Sequence, residues 1–173
     1  PRAVPELVMA LQGTRFLLDL FSVLETPGDG SGGPVAHLTL DEAFANGTGA
    51  RQADGRLFDV RTLAASAVET INLQTILDEN GQALNAAEVV VFVLKAAETN
   101  GGNLRLDTGL TDPWTDLLGA TGQHDLRPGA ALVLFSTADG AYPITSSART
   151  FDVENLDGAA AASYTLYALV RQS

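Results

Sequence analysis

Short apolar runs bounded by turn signals are the feature of this sequence that most constrains its fold. The clearest run, EVVVFVLKA at 88–96, is rich in valine, which is typical of a strand buried on both faces. The run AALVLFS at 130–136 has the same character and follows the turn signal Pro128-Gly129. Such runs recur about every 8 to 15 residues, and this spacing predicts an all-β fold, an antiparallel β-sandwich of jelly-roll type.

The last two runs, RTFDVEN at 149–155 and ASYTLYALV at 162–170, alternate between two sets of side chains. A period of two is the pattern of antiparallel strands that bury one face. Asp157-Gly158 lies between the runs and favours a hairpin, because positive φ is accessible to this dipeptide. We therefore predict a wide hairpin at the end of a β-meander that covers 126–171.

Two further strand patterns lie upstream, GRLFDVRTL at 55–63 and ASAVETINL at 65–73. They indicate either two strands or one bent pair. The segment that follows, LQTILDENGQAL at 73–84, is either a short helix that ends at Asn80-Gly81 or a loop.

The segment ELVMALQGTRFLLDLFSVLE has two interpretations. It forms a helix with Leu7, Leu11 and Leu18 on one face, or a hairpin that turns at Gly13-Thr14. The hairpin is favoured, because a glycine inside a helix costs about 1 kcal/mol and the adjacent threonine is a poor helix former. The predicted organisation is an N-terminal arm or hairpin strand at residues 1–13, followed by a single sandwich domain at residues 14–173.

Composition and charge exclude several classes of function. The net charge of −11 repels phosphate backbones and anionic lipid headgroups, so we expect no nucleic-acid partner and no membrane partner. The chain has no cysteine, which excludes disulfides, thiolate metal sites and a cysteine nucleophile.

The sequence contains no pattern that predicts catalysis. Its two histidines, His37 and His124, are far apart, and no nucleophile elbow accompanies them. The glycine-rich run NGTGARQADG at 46–55 lacks the spacing and the lysine of a phosphate-binding loop. We therefore predict a protein that is not an enzyme, with no catalytic residue, no cofactor and no metal site.

Trp114, the only tryptophan, lies in the turn-like segment TDPWTD. It is either an aromatic residue that caps the core or an anchor for an interface or a sugar ring.

A family resemblance begins in FANGTGARQADGRLFDVRTLAASAVETINL at 44–73. It continues through NAAEVVVFVLKAAETNGG and returns at 126–170, with a Pro-Gly, an apolar strand and a closing aromatic strand. These motifs resemble those of a family of small virion proteins of tailed bacteriophages. The resemblance covers about residues 10–170 and consists of framework residues, and Pro143 interrupts the family's G-Y-x-I-T step.

The resemblance implies a structural protein of a phage particle, most simply a capsid decoration or cement protein that binds and stabilises the assembled head. Such a protein is made in the host cytoplasm and is carried on the exterior of the virion. The implied partners are the major capsid protein or other virion proteins, and further copies of this chain, with a trimer as the expected oligomer.

The arm at residues 1–13 is expected to reach a neighbouring subunit in such an assembly. The candidate interface residues are Leu7, Met9, Leu11 and Trp114. An alternative role is a tail-associated or fibre-associated module for host recognition or glycan binding, which would use Trp114 and the region 108–126.

Overall fold

The computed structural model of the protein describes residues 14–25, 32–109 and 111–173. Strands dominate these residues, and the only helix among them has four residues. The elements in chain order are β1 (Thr14–Glu25), β2 (Gly32–Phe44), β3 (Gly55–Leu63), β4 (Val68–Asn72), β5 (Ala86–Ala96), β6 (Leu104–Asp107), α1 (Thr115–Leu118), β7 (Gln123–Leu126), β8 (Ala131–Phe135), β9 (Tyr142–Pro143), β10 (Thr150–Asn155) and β11 (Ala162–Gln172).

The strands form two main antiparallel sheets and a separate two-stranded ribbon. One sheet has four strands in the order β4-β10-β6-β7. The other has five strands, with the order β3-β11-β5-β8 and with β9 also paired to β5. Side chains from both sheets share one buried cluster, so the nearly all-β architecture agrees with the predicted β-sandwich. The ribbon consists of β1 and β2, in which Thr14 pairs with Phe44.

Strand β5 is buried on both faces, as the run at 88–96 predicts. Phe92 lies in the core, where its ring meets the ring of Phe151 edge to face at 5.4 Å. On the opposite face Val91 packs in a second buried cluster with Phe44 and Leu169. A strand covered on both sides needs apolar residues at consecutive positions, which explains the valine run.

The run at 130–136 differs from this expectation. It forms β8, whose residues alternate between partly buried and exposed positions. Leu132 and Leu134 pack against the core, whereas Val133 is 38% exposed on the other face. The prediction that this run is buried on both faces is wrong, because the cover that protects β5 reaches β8 only at Phe135.

The predicted terminal hairpin and meander are wrong. Strand β10 pairs with β4 and β6, and strand β11 pairs with β3 and β5, so the two strands belong to different sheets. The connection between them crosses the sandwich and is shaped by Asn155, whose Nδ2 donates to the carbonyl oxygens of Ala64 and Ala160, both at 2.9 Å. Alternation of side chains fixes which face is buried but not which strand lies alongside.

The segment 55–73 forms two strands, β3 and β4, which also lie in different sheets. The segment 73–84 is a loop and not a helix. The side chain of Asp78 stabilises it, because Oδ1 accepts hydrogen bonds from the backbone N–H groups of Asn80 at 2.8 Å and Gln82 at 2.9 Å.

Residues 14–25 form a strand, which agrees with the preference for strand over helix in this part of the chain. The partner is the following strand, β2. Gly13 and the predicted arm at residues 1–13 lie outside the described residues.

Arg171 is a buried cation near the end of β11. Its side chain donates to the carbonyl oxygens of Ala138 at 2.8 Å and Gln52 at 3.1 Å, and it forms an ion pair with Glu88. The guanidinium group therefore joins β11 to β5 and to two loops.

Replacing Arg171 with alanine leaves Glu88 without its cation and leaves two carbonyl groups without a donor. We expect Arg171→Ala to lower the free energy of unfolding by about 3 kcal/mol, measured by urea denaturation. Arg127→Ala, at an exposed arginine, is the control and is expected to change it by less than about 0.5 kcal/mol. Equal effects of the two variants would contradict this role of Arg171.

Candidate functional site

The outer face of the five-stranded sheet carries a row of apolar and aromatic side chains. Tyr167 on β11 pairs with Phe58 on β3 and with Val93 on β5, and Val93 pairs with Val133 on β8. We call Phe58, Tyr167, Val93 and Val133 the outer apolar row. Phe58 is 51% exposed, and Val60, the next outward residue on β3, is 62% exposed. Adjoining exposed apolar side chains of this kind are typical of an interaction surface, unlike apolar residues scattered singly.

The base of the β1–β2 ribbon covers the neighbouring row on the same face. That row contains Leu169, Val91 and Phe135, paired in this order across β11, β5 and β8. The ring of Phe16 stacks on Phe135 with centroids 5.0 Å apart, and the ring of Phe44 meets Phe135 edge to face at 6.3 Å. The same cluster also partly buries Val93 and Tyr167 of the outer apolar row.

The outer face of the four-stranded sheet has the opposite character. Thr70, Asp152, Asp107 and Gln123 lie side by side on its four strands. Thr70 Oγ1 donates to Asp152 Oδ1 at 2.6 Å, and Gln123 Nε2 donates to Asp107 Oδ2 at 2.6 Å. These cross-strand polar contacts are what a sheet face in contact with water requires.

The charges of the two outer faces also differ. On the four-stranded sheet Arg105 lies between two carboxylates, with Nε 2.9 Å from Oδ1 of Asp125 and Nη1 3.8 Å from Oε2 of Glu154. In the outer apolar row and the row on each side of it, the charged residues are Arg56 and Lys95, and no position holds Asp or Glu. Both cations have carboxylate partners, because Arg56 Nη2 lies 3.0 Å from Oε1 of Glu79 and Lys95 Nζ lies 3.9 Å from Oε1 of Glu98.

A polar cluster joins the two sheets at one edge of the sandwich. The Tyr164 hydroxyl on β11 donates to Oε2 of Glu69 on β4 at 2.9 Å. Glu69 also forms an ion pair with Arg61 on β3, whose Nε lies 2.8 Å from Oδ2 of Asp59. Burial raises the pKa of Tyr164 far above its ordinary value, and the hydrogen bond to Glu69 raises this pKa further. The cluster therefore ties β11 and β3 of one sheet to β4 of the other.

Because the pKa of Tyr164 is raised, the stability of the protein is expected to fall as the pH rises through the alkaline range. The neutral phenol contributes stability in full below its unfolded pKa of about 10, and this contribution falls as the pH rises further. Tyr164→Phe is expected to be less stable than the wild type by about 1 kcal/mol at neutral pH, and the difference should shrink above about pH 10. Urea denaturation at a series of pH values measures this difference in the free energy of unfolding. A difference that stays constant up to about pH 11 would contradict the assignment.

Trp114 lies in the core, which corrects its prediction as an interface residue. Its side chain is 0% exposed, and its ring meets that of Phe92 edge to face at 5.6 Å and lies 6.4 Å from that of Phe151. The backbone explains this placement, because Trp114 N donates to the carbonyl oxygen of Thr150 at 2.8 Å and ties the loop to the start of β10. A surface contact through this ring would require the core to open.

Truncation of Trp114 tests its role in the core. Trp114→Ala is expected to lower the free energy of unfolding by about 3 to 5 kcal/mol, because it leaves a large cavity. Trp114→Phe should cost less than half as much, since the ring contacts are largely kept and the indole Nε1 has no hydrogen-bond partner among the described residues. Both values come from urea denaturation. A cost below about 1 kcal/mol for Trp114→Ala would contradict the core assignment.

The other predicted interface residues, Leu7, Met9 and Leu11, lie outside the described residues. His124 is exposed on β7, and the side chain of His37 is outside the described part. Among the residues that the structure describes, no group of three or more His, Asp or Glu side chains is placed to hold a metal ion. Within the same ranges no helix is long and apolar enough to cross a membrane.

The glycine-rich loop at 46–55 is held by its own side chains. Gln52 Oε1 accepts a hydrogen bond from the backbone N–H of Gly49 at 2.8 Å, and Asp54 Oδ1 accepts one from the N–H of Gln172 at 2.7 Å. Ala53 between them is buried in the second cluster. These residues of the loop therefore have framework roles.

The outer apolar row was not predicted from the sequence. A signal is present in GRLFDVRTL, because Leu57 and Leu63 occupy one face of the strand while Phe58 and Val60 occupy the other. Apolar residues on both faces of an edge strand indicate that its outward face is also an apolar surface. The signal is weak, because Asp59 and Arg61 interrupt the buried face and obscure the alternation.

Comparisons of the chain with protein-family models, with curated proteins and with solved structures found no match.

Proposed function

We propose that the protein is a non-enzymatic structural component of a tailed-bacteriophage particle, a decoration or cement protein that binds the assembled head from outside. The proposal combines the sequence resemblance with one structural observation. That observation is the contrast between the two outer faces, one apolar and the other built from polar ladders. A sandwich that works alone in water has no use for an apolar outer face, whereas a subunit that docks on a shell does.

Docking through the outer apolar row would stabilise the head by mass action. A protein that binds the assembled shell and not its separated subunits shifts the equilibrium toward the shell. Copies grouped as trimers would multiply the weak contacts of each copy through avidity. The jelly-roll class of the sandwich, an arm at residues 1–13 and assembly on the virion exterior after synthesis in the host cytoplasm belong to the same proposal.

The alternative role in host recognition or glycan binding loses its main support. Sugar-binding sites use exposed aromatic rings, and Trp114 is inside the core. The exposed aromatic residue Phe58 lies on a sheet face and not in the region 108–126.

Binding to heads assembled without this protein tests the proposal. The wild-type protein is expected to co-sediment with such heads and to raise their temperature of disruption. Val60→Asp places a carboxylate beside the outer apolar row and is expected to weaken binding at least about tenfold, because the charge must lose its water on docking. Failure of the wild-type protein to co-sediment would overturn the proposed function.

Val68→Asp is the matched control for the docking face. Val68 is 56% exposed, close to the 62% of Val60, and it also lies on an edge strand, but on the outer face of the four-stranded sheet. This variant is expected to bind heads like the wild type. If the two variants bind equally well, the outer apolar row is not the contact surface.

A further inference from the structure

Strand β3 is the longest strand at an edge of the two main sheets, with nine residues. Among the described residues it pairs only with β11, and this pairing has no bulge. The strand contains no proline and no lysine, and Val60 at its centre is 62% exposed. Bulges, prolines and lysines are common features that keep an edge strand from pairing with another chain, and β3 lacks all three.

The hydrogen bonds of β11 show which backbone groups of β3 face outward. Ser163 directs its backbone towards β5, since its carbonyl oxygen accepts a hydrogen bond from the N–H of Ala97 at 3.0 Å. The backbone groups of successive residues in a strand point to opposite sides, so the next residue, Tyr164, bonds to its partner on β3, Arg61. Val60 and every second residue of β3 on each side of it therefore direct their N–H and C=O groups away from β11.

The free backbone edge of β3 consists of residues 58–62. Arg56, closer to the start of the strand, lies beside a loop, because its Nη2 is 3.0 Å from Oε1 of Glu79. An antiparallel copy of the segment, with Val60 opposite Val60, would bring the outward-facing groups of both strands together. That arrangement makes about six backbone hydrogen bonds.

The side chains of this segment are complementary to themselves in that register. With Val60 opposite the partner's Val60, Asp59 lies opposite the partner's Arg61, and the same contact is made twice. Moving the twofold axis by one residue places two aspartates or two arginines opposite each other. Asp59 and Arg61 are on the core-facing side of the edge strand, where charges normally prevent pairing. Here they exclude the adjacent registers and permit one.

Arg61 can contact a partner while it keeps its contacts within the chain. Its Nε lies 2.8 Å from Oδ2 of Asp59, and its Nη1 donates to Glu69. Nη2 has no hydrogen-bond partner among the described residues. The side chains of Arg61 and Asp59 are 24% and 37% exposed, so both are accessible from the edge.

We propose that two copies of this chain pair through residues 58–62 of β3, antiparallel and about a twofold axis at Val60. Each copy covers the edge of the other with the same segment, so the contact closes at a dimer. The two five-stranded sheets become one continuous sheet, with both outer apolar rows on the same side. The inference goes beyond the proposed function, because it concerns the free protein, and trimers on the head would use other contacts.

Proline at the centre of the contact tests the pairing. Val60→Pro removes the N–H that donates to the partner's Val60, but it leaves the bonds between β3 and β11 intact because that N–H faces outward. Val133→Pro is the matched control. Val133 lies on β8 at the opposite edge of the same sheet, and its N–H also faces outward, because Ser136, three positions later, donates to Val90 of β5 at 2.9 Å.

Sedimentation velocity on the full-length protein, at concentrations up to about 1 mM, measures the association. The wild type and Val133→Pro are expected to approach twice the chain mass of 18.0 kDa as the concentration rises. Val60→Pro is expected to raise the dissociation constant at least about tenfold. A wild-type protein that stays monomeric, a mass of three chains, or equal dissociation constants for the two proline variants would overturn the inference.

Exchange of the charges tests the register. Asp59→Arg and Arg61→Asp each place like charges opposite each other in a homodimer, so each variant alone is expected to be monomeric. An equimolar mixture restores opposite charges at both contacts and is expected to form a mixed dimer. Circular dichroism first shows that both variants fold, and if one does not, the proline variants remain the test. A mixture that stays monomeric would overturn the inference. Head binding is not measured here, so either proposal can fail alone.

Discussion

The pairing of β11 with β5 is the interaction on which the rest of the structure depends. Each of these strands has a neighbour on both sides in the five-stranded sheet, and each contributes to both buried clusters. On the core side Leu166 and Leu94 are cross-strand partners, and on the other side Leu169 and Val91 are. Because this strand pair is covered from two directions, the sandwich and the base of the β1–β2 ribbon form one packed unit.

The second cluster also determines where the exposed apolar surface lies. The base of the ribbon packs on the row of the outer face that contains Leu169, Val91 and Phe135. The next row is apolar as well and is only partly covered, since Val93 and Tyr167 pack against the second cluster whereas Phe58 and Val133 are exposed. The four-stranded sheet needs no cover, since side chains such as Arg105 and Asp152 hydrogen bond across its strands. The difference in exposure along the face of the five-stranded sheet therefore depends on where the base of the ribbon packs.

The positions of most strands could be predicted from the sequence. Which strands lie next to each other in a sheet mostly could not. The valine run identified β5, and alternation identified β10 and β11 with their buried residues Phe151 and Tyr164. The hairpin proposed between β10 and β11 was wrong, because Asp157-Gly158 marks a turn without saying whether the chain turns within a sheet or between sheets. Trp114 was ambiguous for a similar reason, since a turn-like segment can direct a ring inward or outward.

The sequence by itself determined the strand content, the absence of cysteine chemistry and the acidic surface, because local alternation and composition depend only on the order of residues. Only the tertiary structure decided which apolar residues remain exposed. Phe58 and Phe92 are equally apolar in the sequence, yet one is half exposed and the other is buried between the sheets. The physical reason is that burial depends on what lies across a sheet face, and that neighbour comes from distant parts of the chain.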